Sequence, residues 1–218
     1  MHGDIDRRGF LDQAARFAVG GLTAAGILAS LSPDFAIAQV VPQGDARIST
    51  ERVEFASPNG YGTVKAYVAK PANASGKLPA VLVVHENRGL NPHIEDIARR
   101  LAVDGYLAFA PDALTPLGGY PGDEDKARTL FGQLDQAKTR QDFIAAAGVL
   151  KARPDSSGRV GVVGFCYGGG ISHMLATQLP DLAAAVPFYG NHPPVEDAAK
   201  VKAPLLIHFA AVDERIEI

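Results

Sequence analysis

The sequence predicts one α/β domain built on a mainly parallel sheet flanked by helices, on three observations. Two Val-rich runs, "LPAVLVVHE" (78–86) and "RVGVVGF" (159–165), are continuously apolar rather than alternating, the pattern of strands buried on both faces of a parallel sheet. Segments of helical period lie between these and several shorter apolar runs, so strands alternate with helices. The composition, 47% hydrophobic and 21% charged over 218 residues, supports one sizeable core.

The first elements differ from the rest. "RISTERVEFAS" (47–57) and "GTVKAYVAK" (62–70) alternate apolar and polar residues around the turn residues "PNGYG", which predicts an antiparallel hairpin of half-buried edge strands. "YLAFAPD" (106–112), "LAAAVPFYG" (182–190) and "APLLIHFAA" (203–211) are shorter apolar strands. In "NPHIEDIARRLAVDG" (91–105), Asn91 is placed to cap a helix with Pro92 at its first position, and Ile94, Ile97, Ala98 and Leu101 share a face. "DEDKARTLFGQLD" and "TRQDFIAAAGVLKARP" form a second helical pair, and "GGGISHMLATQLP" a further helix. The loop "PLGGYPGDED" is rich in Gly and Pro, as loops that border active sites often are. There is no internal repeat and no low-complexity tract.

Residues 1–38 are organised as an export signal: Arg7 and Arg8, then Phe10 and Leu11, an apolar run from about Phe17 to Leu31, and "AIA" ending at Ala38. The paired arginines resemble a twin-arginine leader, so the chain is expected to be periplasmic or otherwise exported. The apolar run falls short of the roughly 20 residues that cross a bilayer, so no stable span is expected after processing, and residues 39–218 form the domain.

A net charge of -3 leaves no basic surplus for neutralising phosphates, which excludes nucleic acid as an expected partner. The single cysteine excludes an intrachain disulfide. The histidines are scattered without ligand spacing and there is no cysteine pair, so neither a metal nor an organic cofactor is expected.

That one cysteine carries the chemistry. "VVGFCYGGG" (162–170) sets Cys166 between glycines where an apolar strand ends and a helix begins. This is the setting of a nucleophile elbow, with cysteine in place of the commoner serine. Small neighbours let strand and helix approach while the central residue takes a strained conformation. The helix N-terminus favours a thiolate there, and the Tyr167 N–H is aimed at a developing oxyanion. Read as structure alone, a lone cysteine is more often an inert core residue; read as a phosphate loop, the stretch lacks both G-x-G-x-x-G and a following Lys. An elbow needs a second oxyanion donor from an earlier strand-end loop, which "VVHENRGLNP" supplies at Asn87. Glu86 in that loop is a carboxylate directly after a buried strand and requires a partner, such as a helix end or Arg88. A third member should be an acid after a later strand; Asp213 in "PLLIHFAAVDERI" stands there, with Glu214 as the adjacent competitor.

With these residues together, the chain resembles the dienelactone hydrolase (carboxymethylenebutenolidase) family of α/β-hydrolases. The resemblance runs from about Val53 onward and rests on "HENRGLNPHIEDIARRLAVDGY", "APD", "GFCYGGG", "FYG" and "VDERI". It implies an α/β-hydrolase fold and a hydrolase acting on a small-molecule ester or lactone. Cys166 would attack the carbonyl, Asp213 orient a histidine, Glu86 contact the cysteine, Asn87 and Tyr167 stabilise the oxyanion, and Arg88 and Tyr189 contact substrate. In the family the histidine follows the acid, and no histidine follows Asp213 here. The domain is therefore expected to stop before the last strand, histidine loop and closing helix, with deacylation impaired and the apolar edge "LLIHFAA" open to self-association. Of the remaining histidines, His208 is expected in the core of a strand, and His192 in "YGNHPP" is the stand-in for the base. The arginine that family members with anionic substrates carry before the "DEDKARTLF" helix is replaced by acids, leaving Arg128 and Arg88 nearest and favouring neutral esters. A non-catalytic protein that binds a small molecule or partner in the same pocket is the alternative; acyl transfer would use the same residues as hydrolysis.

Overall fold

The computed structural model describes residues 39–213; the expected export leader and Glu214 lie outside the described residues. Six strands form one sheet in the order β1-β2-β4-β3-β5-β6. The hairpin β1 (Ile48–Ser57) and β2 (Gly62–Pro71) pairs in register from Ile48 opposite Pro71 to Ser57 opposite Gly62. β2 also pairs antiparallel with β4 (Leu107–Pro111), whereas β3 (Leu78–Val84) pairs parallel with both β4 and β5 (Ser156–Phe165), and β6 (Ala184–Phe188) is parallel to β5. The mainly parallel sheet is as expected. The hairpin is not wholly an edge: only β1 is, and β2 is buried on both faces, Val64, Ala66 and Val68 on one and Tyr67 and Ala69 on the other.

Four helices cover the sheet among the described residues. α1 (Pro92–Val103) is capped by Asn91, whose side chain accepts the Ile94 N–H, and it buries Ile94, Ala98 and Ala102 against one face, with Ile97 and Leu101 half-buried beside them. α2 (Glu124–Phe131), α3 (Gln136–Ala152) and α4 (Tyr167–Gln178) pack on the other around Phe109, Phe143, Leu150, Ile171 and Leu175. α3 begins three residues before the quoted run at Thr139 because the Asp135 carboxylate accepts the N–H groups of Ala137 and Lys138.

The run after β6 departs from expectation. Residues 204–208 lie parallel to β6 through two isolated bridges, Ala185 to Leu205 and Phe188 to His208, rather than as a regular strand. Leu206 and Ile207 are exposed. His208 is not a core residue: it is exposed and stacks flat on Phe188, with ring centroids 4.3 Å apart. Among the described residues the segment is backed by β6 alone, so its apolar side chains stay exposed.

The outer face of α1 holds a buried ionic cluster that hydropathy does not reveal. Arg99 is fully buried; it donates from Nε to the Val41 carbonyl at 2.6 Å and from Nη2 to the Gln39 side chain at 3.1 Å. Asp96 accepts the Val40 and Val41 N–H groups and an Arg100 bond at 2.8 Å. Burial alone would raise the Asp96 carboxyl, but these donors hold it below the usual carboxylate range. Residues 39–41 are thereby tied to α1. Replacing Arg99 with Met leaves Asp96 and the Val41 carbonyl short of a partner and is expected to cost roughly 3–5 kcal/mol. Urea denaturation of the Arg99→Met variant measures it; a loss near zero would show that water replaces the guanidinium.

Candidate functional site

The site grows from the junction of β5 and α4. A Cβ on Gly164 would lie 2.0 Å from the Gly168 carbonyl, and one on Gly168 would lie 2.3 Å from the Val84 carbonyl at the end of β3. Only glycine permits that approach, so the helix begins directly against the neighbouring strands β3 and β5. Cys166, between them, is held at φ 53°, ψ −111°, a conformation that costs a non-glycine residue of order 1–3 kcal/mol. Its N–H donates to the Phe188 carbonyl at 3.0 Å and its carbonyl accepts the Gly170 N–H. Tyr167 is the first residue of α4, where a backbone N–H has no acceptor within the helix.

Among the described residues one other non-glycine has positive φ, Tyr189 at 40°. It follows β6 and donates its N–H to the His208 carbonyl at 2.8 Å. Cys166, Tyr167, Tyr189 and Asn87 line the same cavity of about 740 Å³, together with Arg140, Met174 and His192. The two strained positions thus converge on one space.

Glu86 reaches this group through Tyr189, whose hydroxyl donates to its carboxylate at 3.2 Å. Burial, then the neighbouring Glu86 charge and hydrogen bond, push the Tyr189 hydroxyl up to about 12, so it stays a neutral donor. Arg88 is turned elsewhere: its Nε pairs with Glu124 at 2.9 Å, and Glu124 also accepts from Asn91 and Tyr120. Thus Glu86 takes Tyr189, not Arg88, as its partner. The acidic start of α2 holds Arg88 outside the cavity. Asp213 is partly exposed in the loop after residues 204–208 and is not among the cavity-lining residues. His192 lines the cavity, and its Nδ1–H donates to the Pro193 carbonyl at 2.9 Å. The sequence reading missed Arg140, an exposed residue of α3 that lines the cavity, because nothing in its helical spacing ties it to Cys166.

Two histidines are buried nearby. His85 is completely inaccessible and His173, on α4, nearly so, with its Nε2 unpartnered. Burial pushes both imidazoles below the ordinary histidine range, against Asp112 and Glu86 for His85 and reinforced by His192 for His173.

The fold these elements make is the α/β-hydrolase fold, and a model of the dienelactone hydrolase family matches residues 64–218. The chain belongs to that family. An Escherichia coli K12 protein provisionally named hydrolase fragment YghX is 54% identical over 114 residues, 52% of this chain and 97% of its own. An Escherichia coli K12 protein provisionally named carboxymethylenebutenolidase is 35% identical over 173 residues, 73% of this chain. The chain spans 64% of the length of that relative. A Klebsiella pneumoniae structure provisionally described as a dienelactone hydrolase superposes with a TM-score of 0.64 at 34% identity, covering 77% of this chain and 75% of the other. A metagenomic protein described as a dienelactone hydrolase-like promiscuous phosphotriesterase, P91, superposes with a TM-score of 0.64 at 27% identity, over 78% and 72%.

The buried histidines set an acid limit. A folded state that keeps both imidazoles neutral binds fewer protons than the unfolded chain, whose histidines titrate near 6.5. Their contribution is therefore complete above about pH 6.5 and is lost as the pH falls below it, at up to about 1.4 kcal/mol per pH unit for each group. Urea midpoints measured from pH 7 to 5.5 are expected to fall with acidity, and His173→Asn is expected to flatten part of that slope. Equal midpoints across the range would mean that the native state accepts the protons.

Proposed function

We propose that the chain hydrolyses a carboxylic ester or lactone through Cys166. The observation that carries this reading is the strained Cys166 at the head of α4, opening into a cavity shared with Asn87, Tyr167 and Tyr189. The Cys166 thiolate attacks the carbonyl carbon while the Tyr167 and Asn87 N–H groups receive the developing oxyanion, a task for preorganised donors. Collapse of the adduct breaks the ester C–O bond, the departing alkoxide or phenoxide takes a proton from water as needed, and water then hydrolyses the thioester to the acid and the free thiol. Glu86, fixed by Tyr189, sets the charge around the thiol. The family resemblance gives Asp213, in the loop after residues 204–208, the role of the acid that would orient a histidine base, although it does not line the cavity. One structural relative, P91, is described as a phosphotriesterase, a second hydrolytic chemistry on a related scaffold; the family as a whole favours the carboxylic ester.

Rapid mixing of residues 39–218 with p-nitrophenyl acetate is expected to give a burst of p-nitrophenol equal to the active-site concentration. The Cys166→Ala variant is expected to lose it. A burst of equal size in the variant would remove Cys166 from the mechanism.

We also propose that residues 204–208 pair with a second copy, since among the described residues Leu206 and Ile207 are exposed there. Ile207→Lys is expected to reduce the mass measured by light scattering toward that of a monomer; a wild-type monomer at all concentrations would dispose of the idea.

A further inference from the structure

The mechanism above leaves two buried histidines without a task, and one of them, His85, adjoins the proposed donor loop. His85 ends the run that begins as β3, immediately before the proposed donor loop, and is 0% exposed. Its ring is wedged between the edges of Phe131 and Phe143, at centroid distances of 6.1 and 5.9 Å. Both ring nitrogens are used. Nε2 accepts the Ala113 N–H at 3.1 Å; an acceptor nitrogen carries no proton, so the proton of the neutral ring sits on Nδ1. Nδ1 faces the Glu86 carbonyl at 2.5 Å and donates to it. Protonating the ring would set an Nε2–H against the Ala113 N–H, so the two bonds and the apolar wedge together admit one tautomer.

The Glu86 carbonyl belongs to the peptide unit whose nitrogen is that of Asn87. In a planar trans peptide the C=O and the N–H point in opposite directions. A carbonyl drawn inward to His85 therefore turns the Asn87 N–H outward, on the side of the cavity that Asn87 shares with Cys166. The first turn of α4 lies against the same stretch, since a Cβ on Gly168 would meet the Val84 carbonyl at 2.3 Å and the His85 carbonyl at 2.8 Å. Both donors of the site are thus referred to one junction.

From this we infer that His85 is a positioning residue that preorganises the oxyanion-binding peptide Glu86–Asn87. Its Nδ1–H fixes the carbonyl, while its Nε2 anchors the ring to the chain just after β4. The inference rests on the cysteine-hydrolase reading given above. It adds that the neutral, singly protonated imidazole is what aims the Asn87 N–H.

The test separates oxyanion stabilisation from thiol reactivity. Acylation by p-nitrophenyl acetate needs the donors; alkylation of Cys166 by iodoacetamide passes through no oxyanion. His85→Met, which can neither donate to Glu86 nor accept from Ala113, is expected to lower the ratio of acylation to alkylation rates by about 10²-fold, the loss typical of one oxyanion donor. Its alkylation rate is expected to stay within about threefold of wild type, the donors being irrelevant to that step. His85→Gln, whose amide both donates and accepts, is expected to recover most of the ratio. Should His85→Met fail to fold, His85→Asn decides, because its short amide reaches one of the two partners only and is expected to lower the ratio about tenfold. A ratio unchanged in these variants, or acylation and alkylation falling in step, overturns the assignment. A wild-type burst that survives Cys166→Ala instead refutes the nucleophile itself, an outcome read independently of His85.

Discussion

The structure depends on how closely α4 can approach the sheet. Gly164 and Gly168 bring backbone against backbone at the head of the helix, and no side chain fits in that space. The chain must turn from strand into helix within one residue, so Cys166 takes a left-handed conformation that cysteine does not choose. The cost is borne by the packing of Ile171 and Leu175 behind it. A single steric constraint therefore sets the direction of the thiol, the position of the helix N-terminus, and the open N–H of Tyr167.

Around that junction, buried polar groups fix orientation rather than add bulk stability. Tyr189 stays protonated beside Glu86 because burial and the carboxylate both oppose its ionisation. His85 stays neutral because its two ring nitrogens face a carbonyl and an N–H in an apolar setting. Glu124 gathers Arg88, Asn91 and Tyr120 at the edge of the same loop. His85 holds backbone directly, while the other contacts fix side chains beside it, and such fixing is the condition for the proposed donors to act without reorganisation. Arg99 and Asp96 do the same at the opposite face for residues 39–41.

Most of the fold was legible because the signals were local. The Val-rich β3 and β5 declare burial on two faces, the "PNGYG" turn closes the hairpin, and Asn91 followed by Pro92 marks the start of α1. The turn at Cys166 was legible for the same reason: glycine spacing is written in adjacent residues. What stayed hidden was set by distant contacts. β2 alternates like an edge strand, yet it lies inside the sheet beside β4 and packs into the core on both faces. His208 sits in an apolar run, but among the described residues it is exposed and stacks on Phe188. By sequence Arg88 reads as a partner for Glu86 or for substrate, but it pairs with Glu124, 36 positions on. Arg140 reaches the cavity from a helix with no motif, and the role inferred for His85 depends on a carbonyl and an amide that no residue type announces.

In the proposed reaction the strained Cys166 takes the acyl chain. Peptide mass spectrometry after quenching the reaction with p-nitrophenyl acetate in acid tests it most directly. The account requires an added acetyl group on the peptide carrying Cys166, at a stoichiometry near one. Acetylation confined to lysines or to Tyr189, with an unmodified Cys166, would contradict it.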